Sequence, residues 1–275
     1  MIDLNKLNPE QKQAVLTTEG PLLILAGAGS GKTRVLTYRA AYLLEKGVPP
    51  WAILAITFTN KAAREMRERI NRLAGEAADD MWVMTFHALS ARILRRDIEK
   101  LGYKREFSIY DDDDQMTLIK RILKKLDISD KSYPPRAVKS VISDAKNHML
   151  SPEEWLKDNP DFRSKPYYRA YCEYEKELKE NNALDFDDLI LKTLELLTEH
   201  PPVLEVYRRK FSYIMVDEYQ DTNMAQYMLV RTLAGDKKNV CVVGDDDQSI
   251  YGWRGADLRN ILEFEKDYGG CPVIK

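Results

Sequence analysis

The stretch "AGAGSGKT", Ala26–Thr33, constrains this chain more tightly than any other. It lies between an apolar run, "PLLIL", and a helical pattern, "RVLTYRAAYLLEKG". Glycine at 27, 29 and 31 suits neither a strand nor a helix interior. It does suit a backbone that curls until successive N–H groups face phosphate oxygens, at the positive end of the helix that follows. Ala28 and Ser30 complete that loop. Lys32 would then reach the β- and γ-phosphates of a nucleotide, and the Thr33 hydroxyl would ligate magnesium. The phosphate-loop pattern normally opens on glycine, and Ala26 stands there instead. A plain glycine-rich strand-to-helix turn is the simpler alternative.

Four further apolar runs repeat the shape of a buried strand with polar residues at its carboxyl end: "AILAITFT", "DMWVMTF", "YIMVDEY" and "NVCVVGD". Runs that are apolar on both faces and separated by helical patterns imply a parallel sheet with helical crossovers. Ligands of such sheets bind beyond the carboxyl ends of the strands, where the polar clusters fall. Between about 88 and 210 the strand pattern stops and helical segments follow, broken at "SYPPR", "MLSPEEW", "DNPDF" and "EHPPV". The expected organisation is an α/β domain from 1–87 and 211–275, with a mostly helical domain, 88–210, inserted in it. The last residues, "GGCPVIK", read as the start of one more strand.

Composition narrows the function. Hydrophobic residues at 44% and charged residues at 31% fit a globular chain able to bury a core. No apolar run reaches the roughly 18 residues of a membrane helix, and "MIDLNKLNPEQ" lacks the regions of a secretory signal. The cysteines at 172, 241 and 271 offer neither a disulfide framework nor zinc spacing, so a reducing cytoplasm is expected. A net charge of −2 argues against a nonspecific nucleic-acid coat. Basic residues do recur from Arg92 to Lys146, interrupted by the acidic run Asp111–Asp114, and solvated helix faces account for them.

A phosphate loop needs a second carboxylate to organise magnesium, and "YIMVDEYQDT" supplies it. Asp217 ends the apolar run and would hold the metal through its water shell. Glu218 would orient and deprotonate the attacking water. Near the start, "LNPEQKQAV" combines a helix cap at Asn8, a first-turn proline at Pro9 and a capping-box amide at Gln11. Gln11 also matches the N6/N7 edge of adenine, and a cap would hold it in a fixed direction. Finally, "VVGDDDQSIYGWRGA" sets carboxylates, an amide, two aromatics and an arginine within a dozen residues of an apolar strand. Aromatic faces suit stacked bases, and flanking Gly252 and Gly255 argue against a buried regular element.

In order along the chain, "LNPEQ", "AGAGSGKT", "TFTNKAAREM", "TFHAL", "DFDDL", "DEYQDT" and "GDDDQSIYGWRGA" resemble the motifs of the UvrD/Rep/PcrA family of superfamily 1 DNA helicases, and within it the PcrA-like enzymes of bacteria. Alanine at position 26 is normal in that family. The resemblance implies a P-loop NTPase (RecA-like) fold of class α/β: a parallel sheet flanked by helices, with the mostly helical insert as an accessory domain. It implies ATP and Mg2+ as cofactors, single-stranded DNA as partner, and 3′ to 5′ translocation in repair or replication.

Residue by residue, it implies that Gln11 reads adenine and Arg34 borders the nucleotide. Gln248 would contact the γ-phosphate and join Lys32 and Glu218 in catalysis. Tyr251 and Trp253 would stack on bases, with Arg254 linking them to the nucleotide pocket. Thr57, Phe58, Asn60, Thr85 and His87 would make the other single-strand contacts. The family's second motor domain, whose arginines reach the γ-phosphate, has no counterpart in these 275 residues. Alone they are expected to bind nucleotide and hydrolyse it slowly, with that second motor domain as the partner of a full-length helicase. Two other readings are a nucleotide-gated single-strand-binding module and part of a helicase–nuclease.

Overall fold

The structure is a computed structural model that describes residues 2–27, 29–235, 239–245 and 259–275. The chain divides into two compact units, residues 1–89 with 201–275, and residues 90–200.

Eight strands occur among the described residues: β1 (Leu22–Leu25), β2 (Ile53–Thr57), β3 (Trp82–Thr85), β4 (Ser108–Tyr110), β5 (Ala183–Asp185), β6 (Tyr213–Val216), β7 (Val240–Gly244) and β8 (Val273–Ile274). Six form the sheet of the first unit in the order β3-β2-β6-β7-β1-β8, and every pairing in it is parallel. β2 and β7 are buried along their whole length, as strands covered on both faces must be. After β1 the chain crosses over two strand positions to lay down β2, and it later returns to fill the gap with β6 and β7. The carboxyl ends of β1, β7 and β6 therefore lie side by side, with Leu25 opposite Gly244 and Val216 opposite Val242. "GGCPVIK" does contain a strand, β8, on the edge beside β1.

The helices Pro9–Leu16, Lys32–Glu45 and Asn60–Ala74 pack on the sheet. Asn60–Ala74 shows why it forms and how it sits. Thr59 caps it by accepting the Ala62 N–H at 3.1 Å, and Gly75 ends it at φ +74°. Ala63, Met66 and Ile70, at spacings of three and four, make its buried stripe. Burying Ile70 fully contributes about 1.5–3 kcal/mol. Arg39, wholly buried in Lys32–Glu45, donates to the carbonyls of Ala14, Thr17 and Thr18 and so satisfies the carboxyl end of Pro9–Leu16.

The second unit is largely helical around Leu118, Ile122, Val138, Ile142, Trp155, Tyr171, Tyr174 and Leu178. Two expectations need correction. The segment is not free of strands, because β4 and β5 pair in parallel within it; at three residues each they are too short to show a period. Its boundaries also shift. The helix Pro201–Lys210 belongs to the first unit, where Tyr207 and Phe211 pack edge-on to Trp82 and Arg208 donates to the Thr232 carbonyl. Reading the return of the sheet from strands alone placed that helix on the wrong side. The Asp111–Asp114 run is a helix start, Asp111 capping Asp112–Lys125 reciprocally with Asp114.

A buried ionic cluster crosses this unit. Lys146, 1% exposed, places Nζ at 2.9 Å from Asp185, 2.8 Å from Asp188 and 2.6 Å from Glu175. Burial disfavours its charge, but the three carboxylates outweigh that and hold its pKa well above the ordinary lysine value. The Tyr174 hydroxyl donates to Asp185 at 2.8 Å. "DFDDL" therefore ties three helices together: Asp185 caps Phe186–Glu199 and accepts from Tyr174 of Lys165–Glu180, while both its carboxylate and that of Asp188 hold Lys146 of Pro135–Asn147.

Candidate nucleotide and single-strand site

The phosphate-loop candidate begins where β1 stops. The Ala26 N–H still donates to the Gly244 carbonyl at 3.0 Å, which extends the β1–β7 ladder by one bond. The chain then turns tightly, with the Ser30 N–H and hydroxyl both donating to the Gly27 carbonyl, at 3.2 and 2.7 Å. A Cβ added at Gly27 or Gly29 would meet nothing within 4 Å, so the loop is uncrowded at both positions. Gly31 is required twice over: its φ is +88°, and a Cβ there would come within 2.9 Å of Gln11 Nε2. It precedes Lys32–Glu45 without any side-chain cap, which leaves first-turn N–H groups for an anion. Ala28 lies outside the described residues.

Around this loop the ends of β6 and β7 supply carboxylates. The Thr33 hydroxyl donates to Asp217 Oδ2 at 2.9 Å. Asp217 is buried, and burial raises its pKa, with the Thr33 hydrogen bond opposing. Glu218 sits in the left-handed region, φ +50° and ψ +44°, so the chain leaves the strand direction immediately after Asp217. Its carboxylate is 41% exposed and 3.9 Å from Lys32 Nζ. Lys32 is itself nearly buried, with Nζ 3.1 Å from the buried Asp245 Oδ2. Asp245 directly follows β7. Gln220, 2% exposed, spans the gap: its Nε2 donates to Glu218 Oε2 at 2.7 Å, and its Oε1 accepts the Asp245 N–H at 3.1 Å.

The residues present fit ATP with magnesium. The loop is an open cradle of backbone groups, and the Asp245 carboxylate supplies Lys32 with the kind of anionic oxygen a phosphate would offer. Thr33 and Asp217 form a pair of hard oxygen donors of the type magnesium takes alongside phosphate oxygens and water. Among the described residues there is no group of three or more His, Cys, Asp or Glu side chains arranged to hold a metal unaided.

Gln11 forms the expected cap and also ties the helix start to the glycine loop. Its Oε1 accepts the Asn8 N–H at 3.1 Å in a capping box, and its Nε2 donates to the Ser30 carbonyl at 2.9 Å. A cavity of about 110 Å³ adjoins it, lined in part by Asn8, Ala26, Lys32, Val35 and Ile274. Arg34 is exposed at the other side of Gly31. It donates to the Lys6 carbonyl at 2.7 Å and lies 5.6 Å from the Tyr38 ring.

A second cluster stands at the ends of β2 and β3, on the same edge of the sheet. Thr57 and Thr85 are directly paired. Thr57 donates to the Thr59 carbonyl at 3.2 Å, and the Thr85 hydroxyl accepts the Ala88 N–H at 3.1 Å. The Phe58 ring packs on Phe86 with centroids 5.4 Å apart, while Asn60 is exposed at the start of its helix. His87 is half-buried, and burial lowers its pKa, so it is neutral at pH 7. Gln248, Tyr251, Trp253 and Arg254 lie outside the described residues. The sequence reading assigned no role to Asp245, Gln220 or Phe86. Asp245 had a usable signal, since like Asp217 it directly follows a buried apolar run.

The model of the UvrD/REP helicase N-terminal domain matches residues 7–269. Proteins named ATP-dependent DNA helicase PcrA are similar across nearly the whole chain. Those of Bacillus subtilis (strain 168) and Staphylococcus aureus (strain Mu50) are 57% identical over 272 residues, and that of Staphylococcus epidermidis is 56% identical over the same length. The match covers 98% of this chain and 37% of each of these relatives. No helix among the described residues is long and apolar enough to cross a membrane.

Proposed function

The chain belongs to the UvrD/REP helicase family, and from that premise we infer that it is the ATP-binding motor portion of an ATP-dependent 3′ to 5′ DNA helicase acting on single strands. One observation carries the reading: Lys32, the Thr33–Asp217 pair and Glu218 converge on one open glycine loop at the adjoining ends of β1, β6 and β7. Backbone N–H groups of the loop and of the first turn of Lys32–Glu45 bind phosphate oxygens. Lys32 exchanges Asp245 for the β- and γ-phosphates. Thr33 and Asp217 hold Mg2+, which when bound neutralises phosphate charge. Glu218, partly exposed and clear of the buried pair, orients a water and accepts its proton. Gln11 turns its amide from Ser30 to the adenine edge, with Arg34 beside the base.

Thr57, Phe58, Asn60, Thr85 and His87 line the path of the single strand, with Phe58 offering a ring face. Gln248, Tyr251, Trp253 and Arg254 retain the roles implied by their motif: γ-phosphate contact, base stacking and the link between the two. These 275 residues by themselves bind nucleotide and turn it over slowly, because an arginine brought from a second motor domain is worth roughly 10³–10⁵ in rate.

Titration of a fluorescent ATP analogue with Mg2+ tests the reading. Lys32→Ala is expected to weaken binding markedly, and an unchanged affinity would remove the phosphate-loop assignment. Steady-state hydrolysis with saturating oligo-dT tests the second part. Fast turnover abolished by Glu218→Gln would show the 275 residues to be catalytically complete.

A further inference from the structure

Gln220 is buried, yet nothing about packing requires an amide there. Both ends of that amide are used. Nε2 donates to Glu218 Oε2 at 2.7 Å, and Oε1 accepts the backbone N–H of Asp245 at 3.1 Å. The fit is close: a Cβ on Gly244 would stand 3.3 Å from Gln220 Oε1 and 3.5 Å from its backbone nitrogen, so this stretch of β7 leaves room for the amide and little else. Glu218 needs such a support. It stands in a left-handed turn after β6, its side chain is 41% exposed, and among the described residues the cation paired with it, Lys32, is 3.9 Å away, beyond hydrogen-bond reach. A glutamate on an exposed turn with no donor would sample several rotamers.

We propose that Gln220 is the positioning residue for Glu218. Its amide holds the carboxylate at one oxygen and anchors it to the end of β7 through the Asp245 N–H. This rests on the reading of Glu218 as the proton acceptor. The geometry gives the amide one effect: it fixes the direction of Glu218 Oε2 and leaves the other oxygen, Oε1, for the attacking water. The anchor is backbone, so it survives any change in the Asp245 side chain.

Single-turnover hydrolysis of γ-labelled ATP, with the 275-residue protein in excess and Mg2+ present, measures this beside the nucleotide Kd. Gln220→Met keeps the volume and removes both hydrogen bonds. The rate is expected to fall roughly 10- to 100-fold, the share of a hydrogen bond to a charged group. Kd is expected to stay within about twofold, so the loss appears in the rate of the chemical step and not in binding. Gln220→Ala likewise removes both hydrogen bonds, in a side chain that fits any space the amide leaves, so it should lose rate equally. This second variant also covers the case in which methionine is not accommodated.

Glu218→Gln separates the proposal from the reading beneath it. If Glu218→Gln leaves the single-turnover rate intact, the proton-acceptor reading fails and Gln220 has nothing to position. If Glu218→Gln abolishes hydrolysis while both Gln220 variants keep the wild-type rate, the positioning role is wrong. A fall in affinity that accounts for the whole loss of rate would equally overturn it, since a packing residue would behave that way.

Discussion

The Lys32–Asp245 pair leads to a prediction opposite in sign to that for most site mutations. Asp245→Asn should tighten nucleotide binding. Lys32 Nζ and Asp245 Oδ2 are 3.1 Å apart and both groups are buried. At an effective dielectric near 20, two unit charges at that distance attract by about 5 kcal/mol before desolvation is counted. The net value of a hydrogen bond between charged groups is smaller, about 1.5–3 kcal/mol. An incoming phosphate has to displace that contact to reach the ammonium. Asparagine keeps the shape and can accept a neutral hydrogen bond, so the competing contact weakens by about 1–2 kcal/mol, and affinity should rise roughly 5- to 30-fold.

The unliganded protein should pay in stability, since Lys32 would lose its hydrogen-bonded counter-charge and keep Glu218 at 3.9 Å. Because a ligand stabilises by RT ln(1 + [L]/Kd), the gain in melting temperature on adding Mg-ADP should be larger in the variant than in the wild type. Thermal melts with and without Mg-ADP, beside a fluorescence titration, measure both quantities. Weaker binding in Asp245→Asn, comparable to that of Lys32→Ala, would refute the reasoning and make Asp245 a group that supports bound nucleotide. The Asp245 N–H is untouched by this change, so Gln220 and Glu218 should not move.

Two predictions concern the helical unit. Lys146→Met removes the cation that Asp185, Asp188 and Glu175 share and should destabilise the unit by about 3–5 kcal/mol in urea unfolding; a loss below about 1 kcal/mol would mean the carboxylates already share protons in the folded state. Asp187→Asn should act the other way. Burial, then the nearby Asp185, push the Asp187 carboxyl from 3.8 up to about 6, so between those values the folded state binds more protons than the unfolded one and stability falls as pH rises. Asparagine can still accept the Ser143 hydroxyl, which donates to Asp187 at 2.7 Å, so the variant should be more stable by about 1–3 kcal/mol above pH 6 and equal to wild type near pH 4. A stability difference that does not vary with pH would exclude Asp187 as the source.

What could be read from the sequence followed the physics of each feature. β1, β2, β3, β6 and β7 were legible because strands buried on both faces are continuous apolar runs. The glycine loop was legible because its backbone needs residues without a Cβ, as Gly31 still shows. The strand order was not, since crossover lengths do not state how many positions a connection spans. β4 and β5 were too short to carry a pattern. The Lys32–Asp245 contact joins residues 213 apart, and no local rule pairs them. Gln220 stood in plain view within "DEYQDT", but an amide declares its role only when both its partners are located. Gln11 is the instructive middle case: the cap was readable from its spacing, while the bond from its Nε2 to the Ser30 carbonyl, 19 residues away, was not.

The arrangement also limits how the two clusters can communicate within the first unit. β2, which ends at Thr57, is hydrogen-bonded to β6, which ends beside Asp217, and the Asp217 N–H donates to the Ile56 carbonyl at 3.0 Å. Asp217 and Thr57, proposed for the metal and the single strand, are therefore neighbours through a single backbone bond. A ladder buried on both faces cannot slip, because a one-residue shift of register would turn every side chain to the opposite face and break the pairing Ile56–Val216. On the proposed reading, then, the strands act as a fixed frame that holds both ligands at a set spacing. Any nucleotide-dependent change has to pass through what lies beyond the strand ends: the turn at Glu218, the amide of Gln220 and the Lys32–Asp245 contact. Each of these sits where a phosphate would alter it, and none is part of the ladder.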